Sequence, residues 1–321
     1  MPFPARLERQ RRNLIGREIR LIDPYRHSGG IRILLCYPNL YPLAMSSLAW
    51  QGVYHLFNAS PLFECHRSTL EFSVPLGSIE TGQNFYDYDI VAFHFSYELD
   101  YLNFLDILKN NRIPEYRENR TGRYPLFMAG GLCVTVFPDV IEPFFDVMVQ
   151  GEAECLIRQI EERIEAGEAV RIRMDRGKIL ELFSQLDNLW VPAWNSNRGI
   201  QRIHKPLDDP PLFTPLSSRE RHFRSEFLLE VSRGCPSECS FCAACHLNKP
   251  TRFRSRHSLI ETLNRFLPDR IRQVGLVGAA LAFHPELKNL LNDFLNLNLQ
   301  AHLSSLRPEI IDHELCRLLD R

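Results

Sequence analysis

The sequence predicts an α/β protein in two parts: an N-terminal flavodoxin-like parallel sheet, then a partial (β/α) barrel of about three strand–helix units. Three observations carry this reading. From residue 31, short apolar runs alternate with amphipathic ones, the pattern of a parallel sheet covered by helices. Between roughly 168 and 225 the periodicity fades and Pro192, Pro206, Pro210, Pro211 and Pro215 accumulate, which predicts a linker with a possible hairpin, not a third core. A second alternating block opens at Glu226 and yields three strands. The expected divisions are an N-terminal extension over 1–30, the flavodoxin-like domain over 31–167, the linker over 168–225 and the partial barrel over 226–321. A length of 321 residues suits two domains at about 100–200 residues each.

In order, Ile31–Tyr37 reads as a first strand stopped by Pro38 and Asn39. Met45, Leu48, Ala49, Val53, Leu56 and Phe57 recur at helical spacing, giving a helix with one apolar face. Strands follow at Phe63–Arg67 and Asp89–Phe95, then a helix over Leu99–Lys109. Leu126–Met128 runs into Ala129, Gly130 and Gly131, and Phe145–Val149 into Gly151 and Glu152. The next helix carries Ala153, Leu156, Ile157, Ile160 and Ile164 on one side and stops at Gly167. Such open sheets bind ligands beyond the carboxyl ends of their strands, so Asn39, Ser96, Gly130, Gly131 and Gly151 lie on a candidate ligand rim. The alternative is that the glycines only make tight strand-to-helix turns.

In the second block, Glu226–Val231 is a strand, and Ser258 with Glu261 matches a capping box opening a helix that runs to about Leu267. Ile271–Val277 is the next strand. Pro285 starts a helix bearing Leu287, Leu290, Leu291, Phe294 and Leu295. Leu299–Leu303 is the third strand, with a last helix from Pro308. Three units cannot close a barrel, so the third strand should present an open edge.

Composition narrows the function. A formal net charge of -1 argues against a dominant electrostatic partner such as duplex nucleic acid or an anionic membrane. No apolar run approaches the ~18 residues of a membrane span, and the start has no signal-peptide core, so a cytoplasmic location is expected. Of nine cysteines, four crowd into 235–245. Cys36, Cys65, Cys133, Cys155 and Cys316 are scattered and read most simply as buried hydrophobes.

Cys235, Cys239 and Cys242 form a C-x3-C-x2-C set directly after an apolar, strand-like run. Four cysteines would close the coordination of a 4Fe-4S cluster, whereas three leave one iron open to bind something other than protein. At the end of a strand, this loop lies where strand–helix barrels carry their active sites. Cys245 adds an overlapping pattern with Cys239 and Cys242, and with Cys235 it offers four thiolates, enough for zinc or a closed cluster.

On these residues the chain resembles the radical S-adenosylmethionine family. That resemblance implies cluster ligation by Cys235, Cys239 and Cys242, adenine contact near Phe241, and cleavage of S-adenosylmethionine to a 5'-deoxyadenosyl radical. The segments Tyr41–Ser47, Ala129–Gly131 and Gly151–Glu154, followed by Arg233–Pro236, are similar to members with an N-terminal cobalamin-binding-type domain. Ile15–Glu18 and Gly275–Ala280 further resemble a poorly characterised group among them.

Three departures qualify what the resemblance implies. The D-x-H-x-x-G signature that supplies an axial histidine to cobalamin is absent, and His27 lies before the first strand, so any bound cobalamin would lack that ligand. Where the family often has a Gly-Gly-Glu-like segment to receive the methionyl amine, Gly278, Ala279 and Ala280 stand, leaving backbone carbonyls for the task. Three strand–helix units stand where such barrels have about six; a fragment, a split enzyme completed by a second chain, and a degenerate relative all remain open. Implied partners are an unidentified substrate and a reductant such as ferredoxin or flavodoxin. The other functional classes are a non-catalytic iron–sulfur electron-transfer or binding protein and a structural zinc module.

Among other candidates, His246 and His257 read as surface or satisfied histidines, and His284 lies nearer the expected reaction face. Glu98 and Asp100 read as helix-start carboxylates. Arg252, Arg254 and Arg256 alternate at strand spacing, which favours a solvated face over a phosphate or RNA contact.

Overall fold

In the computed structural model, which describes residues 3–22, 30–165, 176–194, 207, 211–222, 227–304 and 306–320, the chain forms two units. The first comprises Met1–Glu18 and Pro24–His204, the second Ile19–Asp23 and Lys205–Arg321. No described helix is long and apolar enough to cross a membrane.

The chain opens with α1 (Ala5–Ile15) and β1 (Glu18–Arg20). The run of Ile31–Tyr37 forms β2, apolar and buried almost throughout because parallel strands cover both its edges and helices cover the sheet faces. Then come α2 (Tyr41–Ala44), α3 (Leu48–Ala59), β3 (Phe63–Thr69), β4 (Ile90–His94), α4 (Asp100–Asn110), β5 (Leu126–Gly130), α5 (Leu132–Val136), β6 (Val147–Val149) and α6 (Ala153–Glu165). The sheet runs β3-β2-β4-β5-β6 in parallel, with Ile33 of β2 opposite Cys65 of β3 and Ile90 of β4. This is the expected flavodoxin-like order, and its direction reverses between β2 and β4. Phe93, Phe95, Phe104, Phe127 and Phe145 fill the core on one side, with Phe104 and Phe145 at 4.7 Å between ring centres. Burying each phenyl contributes about 1.5–3 kcal/mol.

Several elements differ from expectation. Arg176–Ser184, expected as linker, is helix α7, and Leu189–Trp190 is β7, antiparallel to β6 at the sheet edge. Ile179, Leu182, Phe183 and Trp190 are buried, so this segment belongs to the first core; its pieces are too short for a readable period. Of the expected linker, residues 168–175, 195–206, 208–210 and 223–225 lie outside the described residues, as do Gly167, His27 and Glu226. The buried face of α3 carries Leu48, Trp50, Tyr54 and Phe57, while Ala49 is exposed.

In the second unit β8 (Leu216–Ser218) pairs with β1. It is followed by β9 (Phe227–Glu230), β10 (Ser232–Arg233), α8 (Ala244–Leu247), β11 (Arg252–Phe253), α9 (Arg256–Phe266), β12 (Gln273–Val277), α10 (Leu287–Asn296), β13 (Gln300–Leu303) and α11 (His313–Leu319). Strands β13-β12-β9 form a parallel sheet packed through Phe227, Leu229, Val274 and Leu276 against Leu259, Leu263, Leu290 and Phe294. Residues 212–214 cover the outer edge of β9, through Glu230 N–H to Leu212 O (2.8 Å) and Thr214 N–H to Leu228 O (3.0 Å). Among the described residues no strand pairs with the outer edge of β13, so the barrel is not closed. Helix α9 starts one turn earlier than expected: Ser255 Oγ, not Ser258, accepts the cap bond, from Ser258 N–H. Cys316 is exposed on α11, against the expectation of burial; the other scattered cysteines are buried.

Candidate functional site

The cysteine loop leaves the carboxyl end of β9 through β10 and returns through β11, which pairs antiparallel with β10. Cys235, Cys239 and Cys242 are half-buried free thiols, and Cys242 N–H donates to Cys239 O at 3.1 Å, turning the C-x2-C segment back on itself. Cys245 differs from them. It is buried, and its thiol donates to Cys242 O at 3.2 Å. Phe241 is 90% exposed, an aromatic ring that the loop's own packing does not use. Among the described residues no three His, Cys, Asp or Glu side chains converge to hold a metal ion, so the cysteines share one loop without forming a closed centre. Their chemistry fits an iron–sulfur group: soft sulfur donors, accessible, on a segment anchored at both ends.

The ends of the three parallel strands meet at this loop. After β12, Gly278 O accepts from Ser304 Oγ at 3.3 Å, and Ala280 N–H donates to Ser232 Oγ at 3.4 Å, while Ala279 is exposed. After β13, Arg307 donates to Ser237 Oγ within the cysteine loop, lies 5.4 Å over the Phe283 ring and reaches Cys239 and Cys235 electrostatically. Pro236, Ser237, Phe283, Arg307, Glu309 and Ile310 line a depression of about 300 Å³, the lower end of the range for small-molecule sites. Hydrogen bonding to Glu309 raises the Arg307 guanidinium above its ordinary pKa, so it stays cationic.

His284 is near this face but directed inward: it is buried, with Nδ1 accepting from Glu286 N–H (3.2 Å) and Nε2 donating to Arg254 O (2.9 Å). His246 and His257 are exposed. The expected solvated arginine face is not formed. Arg254 is 3% exposed and ion-paired with Glu230, while Arg256 begins α9 and pairs with Asp293 at 2.5 Å. The strand alternation ends at β11, so the three charges face different surroundings.

In the first unit, the sequence-predicted rim residues follow the ends of successive parallel strands, with Asn39 and Ser96 on either side of the point where the strand order reverses. Asn39 Nδ2 donates to Asp100 Oδ1 at 2.7 Å, and burial pushes the Asp100 carboxyl up against the lowering effect of that bond. His94, at the end of β4, stacks on Tyr37 and bonds Ser96 Oγ at 2.9 Å; burial lowers its pKa to about 4, leaving a neutral imidazole at pH 7. Gly130 and Gly131 end β5. Gly131 adopts φ +110°, and a Cβ there would lie 2.4 Å from Phe95 O, so glycine is required for the turn itself. Gly130 has room for a Cβ, and Gly151, after β6, has φ +95°.

Among residues that the sequence pattern did not single out, Trp50 Nε1 in α3 and Tyr101 Oη in α4 are buried without a hydrogen-bond partner, and Leu40, Tyr97, Leu99, Leu132 and Phe137 are exposed shortly after β2, β4 and β5. Exposed apolar side chains beyond these strand ends suit contact with a partly apolar ligand. For the exposed apolar side chains the sequence signal was their position after strand ends, whereas Trp50 and Tyr101 lie within helices and had none.

Known proteins share parts of the sequence and the fold. Residues 49–192 match the family model described as radical SAM proteins, N-terminal. An uncharacterized protein of Methanocaldococcus jannaschii is 26% identical over 293 residues, covering 89% of this chain and 58% of that protein. The fold is similar to the radical S-adenosylmethionine methyltransferase TsrM of Kitasatospora setae, solved with cobalamin and a 4Fe-4S cluster: TM-score 0.57, 15% identity, 91% of this chain and 59% of that one. It is also similar to the cobalamin-dependent S-adenosylmethionine radical enzyme OxsB, solved with aqua-cobalamin and S-adenosylmethionine: TM-score 0.51, 12% identity, 83% and 37% of the two chains. Residues 49–192 thus match the N-terminal region of radical SAM proteins, and the fold is similar to that of cobalamin-dependent radical S-adenosylmethionine enzymes. The chain spans just under three fifths of the length of the curated relative it matches.

Proposed function

We propose that this chain is a radical S-adenosylmethionine enzyme whose cluster is ligated by Cys235, Cys239 and Cys242. The observation that carries the proposal is the division of labour among the four clustered cysteines. Three are accessible, while the fourth, Cys245, is buried and gives its thiol to a loop carbonyl. Three ligands leave one iron open. With a 4Fe-4S cluster held by these three cysteines, the chemistry supplied would be one-electron reductive cleavage of S-adenosylmethionine to methionine and a 5'-deoxyadenosyl radical.

Around it the chain's own groups bind and orient. Exposed Phe241 offers a face for adenine, Arg307 offers a cation to a carboxylate, and the carbonyls of Gly278 and Ala279 offer acceptors to an amine. A ferredoxin- or flavodoxin-type protein supplies the electron, and the substrate is a further molecule bound over the same face. The rim at Asn39, Ser96, Gly130, Gly131 and Gly151 receives a cobalamin-type cofactor. It does so without a histidine from the loop after β2, since that loop carries Pro38 and Asn39.

The test is anaerobic reconstitution with iron and sulfide, with electron paramagnetic resonance of the reduced cluster recorded before and after adding S-adenosylmethionine. The spectrum is expected to change on addition, because the ligand enters the open iron. In Cys245→Ala, full cluster content and the same change are expected. A cluster indifferent to S-adenosylmethionine, or one lost in Cys245→Ala, would show a closed four-thiolate site instead.

A further inference from the structure

The depression beside the cysteine loop is built where two neighbouring strands end. Phe283 follows β12, Arg307, Glu309 and Ile310 follow β13, and Pro236 and Ser237 belong to the cysteine loop itself. Phe241, Gly278 and Ala279, the groups offered above to S-adenosylmethionine, are not among the described residues that line it. At about 300 Å³ it suits an occupant the size of one amino acid, so a second molecule has a place on the same face.

The depression holds one charge of each sign. Arg307 is fixed in position, since it donates to Ser237 Oγ and lies 5.4 Å over the Phe283 ring. Glu309 sits in the single 3-10 turn Pro308–Ile310, where its own backbone N–H and the Arg307 guanidinium hold its carboxyl below the usual carboxylate range. Both groups are therefore ionised at neutral pH. They face each other at 3.3 Å (Nε to Oε2) and 3.4 Å (Nη2 to Oε1), longer than the roughly 2.7–2.9 Å of a close charge-assisted bond. Their side chains are 43% and 67% exposed, so water screens the pair and parting it costs little.

This arrangement discriminates between ligands by charge. A lone anion approaching Arg307 is repelled by Glu309, and a lone cation approaching Glu309 is repelled by Arg307. A zwitterion escapes both penalties, because its carboxylate pairs with the guanidinium while its ammonium pairs with the carboxylate, and one loose ion pair becomes two. The other walls, Phe283, Ile310 and Pro236, are apolar, so the group projecting from the zwitterion is apolar as well.

We propose that this depression binds the α-amino-acid group of a substrate with an apolar side chain, its carboxylate on Arg307 and its ammonium on Glu309. That the occupant is the substrate rests on the radical-enzyme reading above. The zwitterion site itself does not.

Calorimetry on the full, cofactor-free chain tests the site with three probes: L-phenylalanine, 3-phenylpropanoate, which lacks the ammonium, and 2-phenylethylamine, which lacks the carboxylate. L-Phenylalanine is expected to bind at least about tenfold tighter than either of the others. Glu309→Gln is expected to weaken L-phenylalanine at least about fivefold yet to tighten 3-phenylpropanoate, whose carboxylate then meets no like charge beside Arg307. Arg307→Gln is expected to weaken both, and Arg307→Lys, which keeps the cation should the glutamine variant disturb the loop, to recover part of the affinity. No binding, equal affinity for the three probes, or tighter binding of L-phenylalanine by Glu309→Gln overturns the zwitterion site; the last result would make Glu309 a mere competitor for Arg307. In the reconstituted chain, the affinity for L-phenylalanine is expected to be the same with and without saturating S-adenosylmethionine. Displacement by S-adenosylmethionine overturns the substrate assignment and gives the depression to that molecule. A wild-type chain that takes up no cluster contradicts the proposed cofactor instead, and calorimetry of the cofactor-free chain then decides the zwitterion site alone.

Discussion

Replacing Cys239 with alanine is expected to lower cluster iron and sulfide by more than about tenfold relative to the wild-type chain, with loss of the visible charge-transfer absorbance. Cys235→Ala and Cys242→Ala are expected to behave alike. Two thiolates cannot hold a four-iron group against chelation by solvent ligands, and the neighbouring sulfur of Cys245 is an unsuitable substitute. It is buried and points at Cys242 O and Cys239 O, so recruiting it would require the turn between Cys239 and Cys242 to open. The fold of the loop is secured elsewhere, where β10 pairs with β11, so circular dichroism and thermal unfolding of these variants should stay close to wild type. Retention of a full cluster in any of the three would remove that cysteine from the ligand set.

The largest stability effect is expected at Arg67, which is 1% exposed in the first unit. Its guanidinium joins Glu80 Oε1 at 2.6 Å and Glu18 Oε2 at 2.8 Å, and Glu18 also accepts from Tyr41 Oη at 2.6 Å. Arg67→Leu leaves two carboxylates buried without their cation, which costs about 3–5 kcal/mol by urea denaturation. The pH dependence should change sign. Burial pushes the Glu80 carboxyl up, but the charge and hydrogen bonds of Arg67 outweigh it, and its pKa lies below the ordinary value. Its contribution in the wild type is therefore present above the ordinary carboxylate pKa and lost as pH falls through the lowered one. In Arg67→Leu the guanidinium's charge and side-chain bond are gone, and the upward push of burial outweighs what remains, the backbone N–H of residue 67 on Glu80 Oε2 at 2.6 Å and the influence of His66. Stability should then rise as pH is lowered toward the carboxylate range. A variant with wild-type stability and pH slope would mean that the network is not what secures β3 to the N-terminal segment.

Much of the fold was legible because strand burial is written locally. Ile31–Tyr37 and Leu126–Gly130 are apolar runs stopped by proline or glycine, and both became strands of a sheet covered on two faces. What escaped was written non-locally or in pieces too short to have a period. Trp190 joins the first sheet through a two-residue strand. Arg254 reads as one of three solvated charges until its partner Glu230, 24 residues away, is brought beside it by the β10–β11 pairing. Ser258 with Glu261 matches a capping box in sequence, whereas the chain leaving β11 enters the helix one turn sooner, capped by Ser255. The cysteine spacing was legible at once, but the different part played by Cys245 was not, since burial and a bond to Cys242 O have no sequence signature. Likewise Asn39, Ser96 and Gly131 could be placed on the rim from strand ends, whereas the orphaned Trp50 and Tyr101 atoms depend on how α3 and α4 pack.

The most direct test of the account is formation of 5'-deoxyadenosine. The chain is reconstituted anaerobically, reduced in the presence of S-adenosylmethionine, and the nucleoside is quantified by mass spectrometry beside a Cys239→Ala control treated identically. Product is expected from the wild-type chain and background alone from the control. A fully loaded wild-type cluster that yields no more 5'-deoxyadenosine than Cys239→Ala would contradict it.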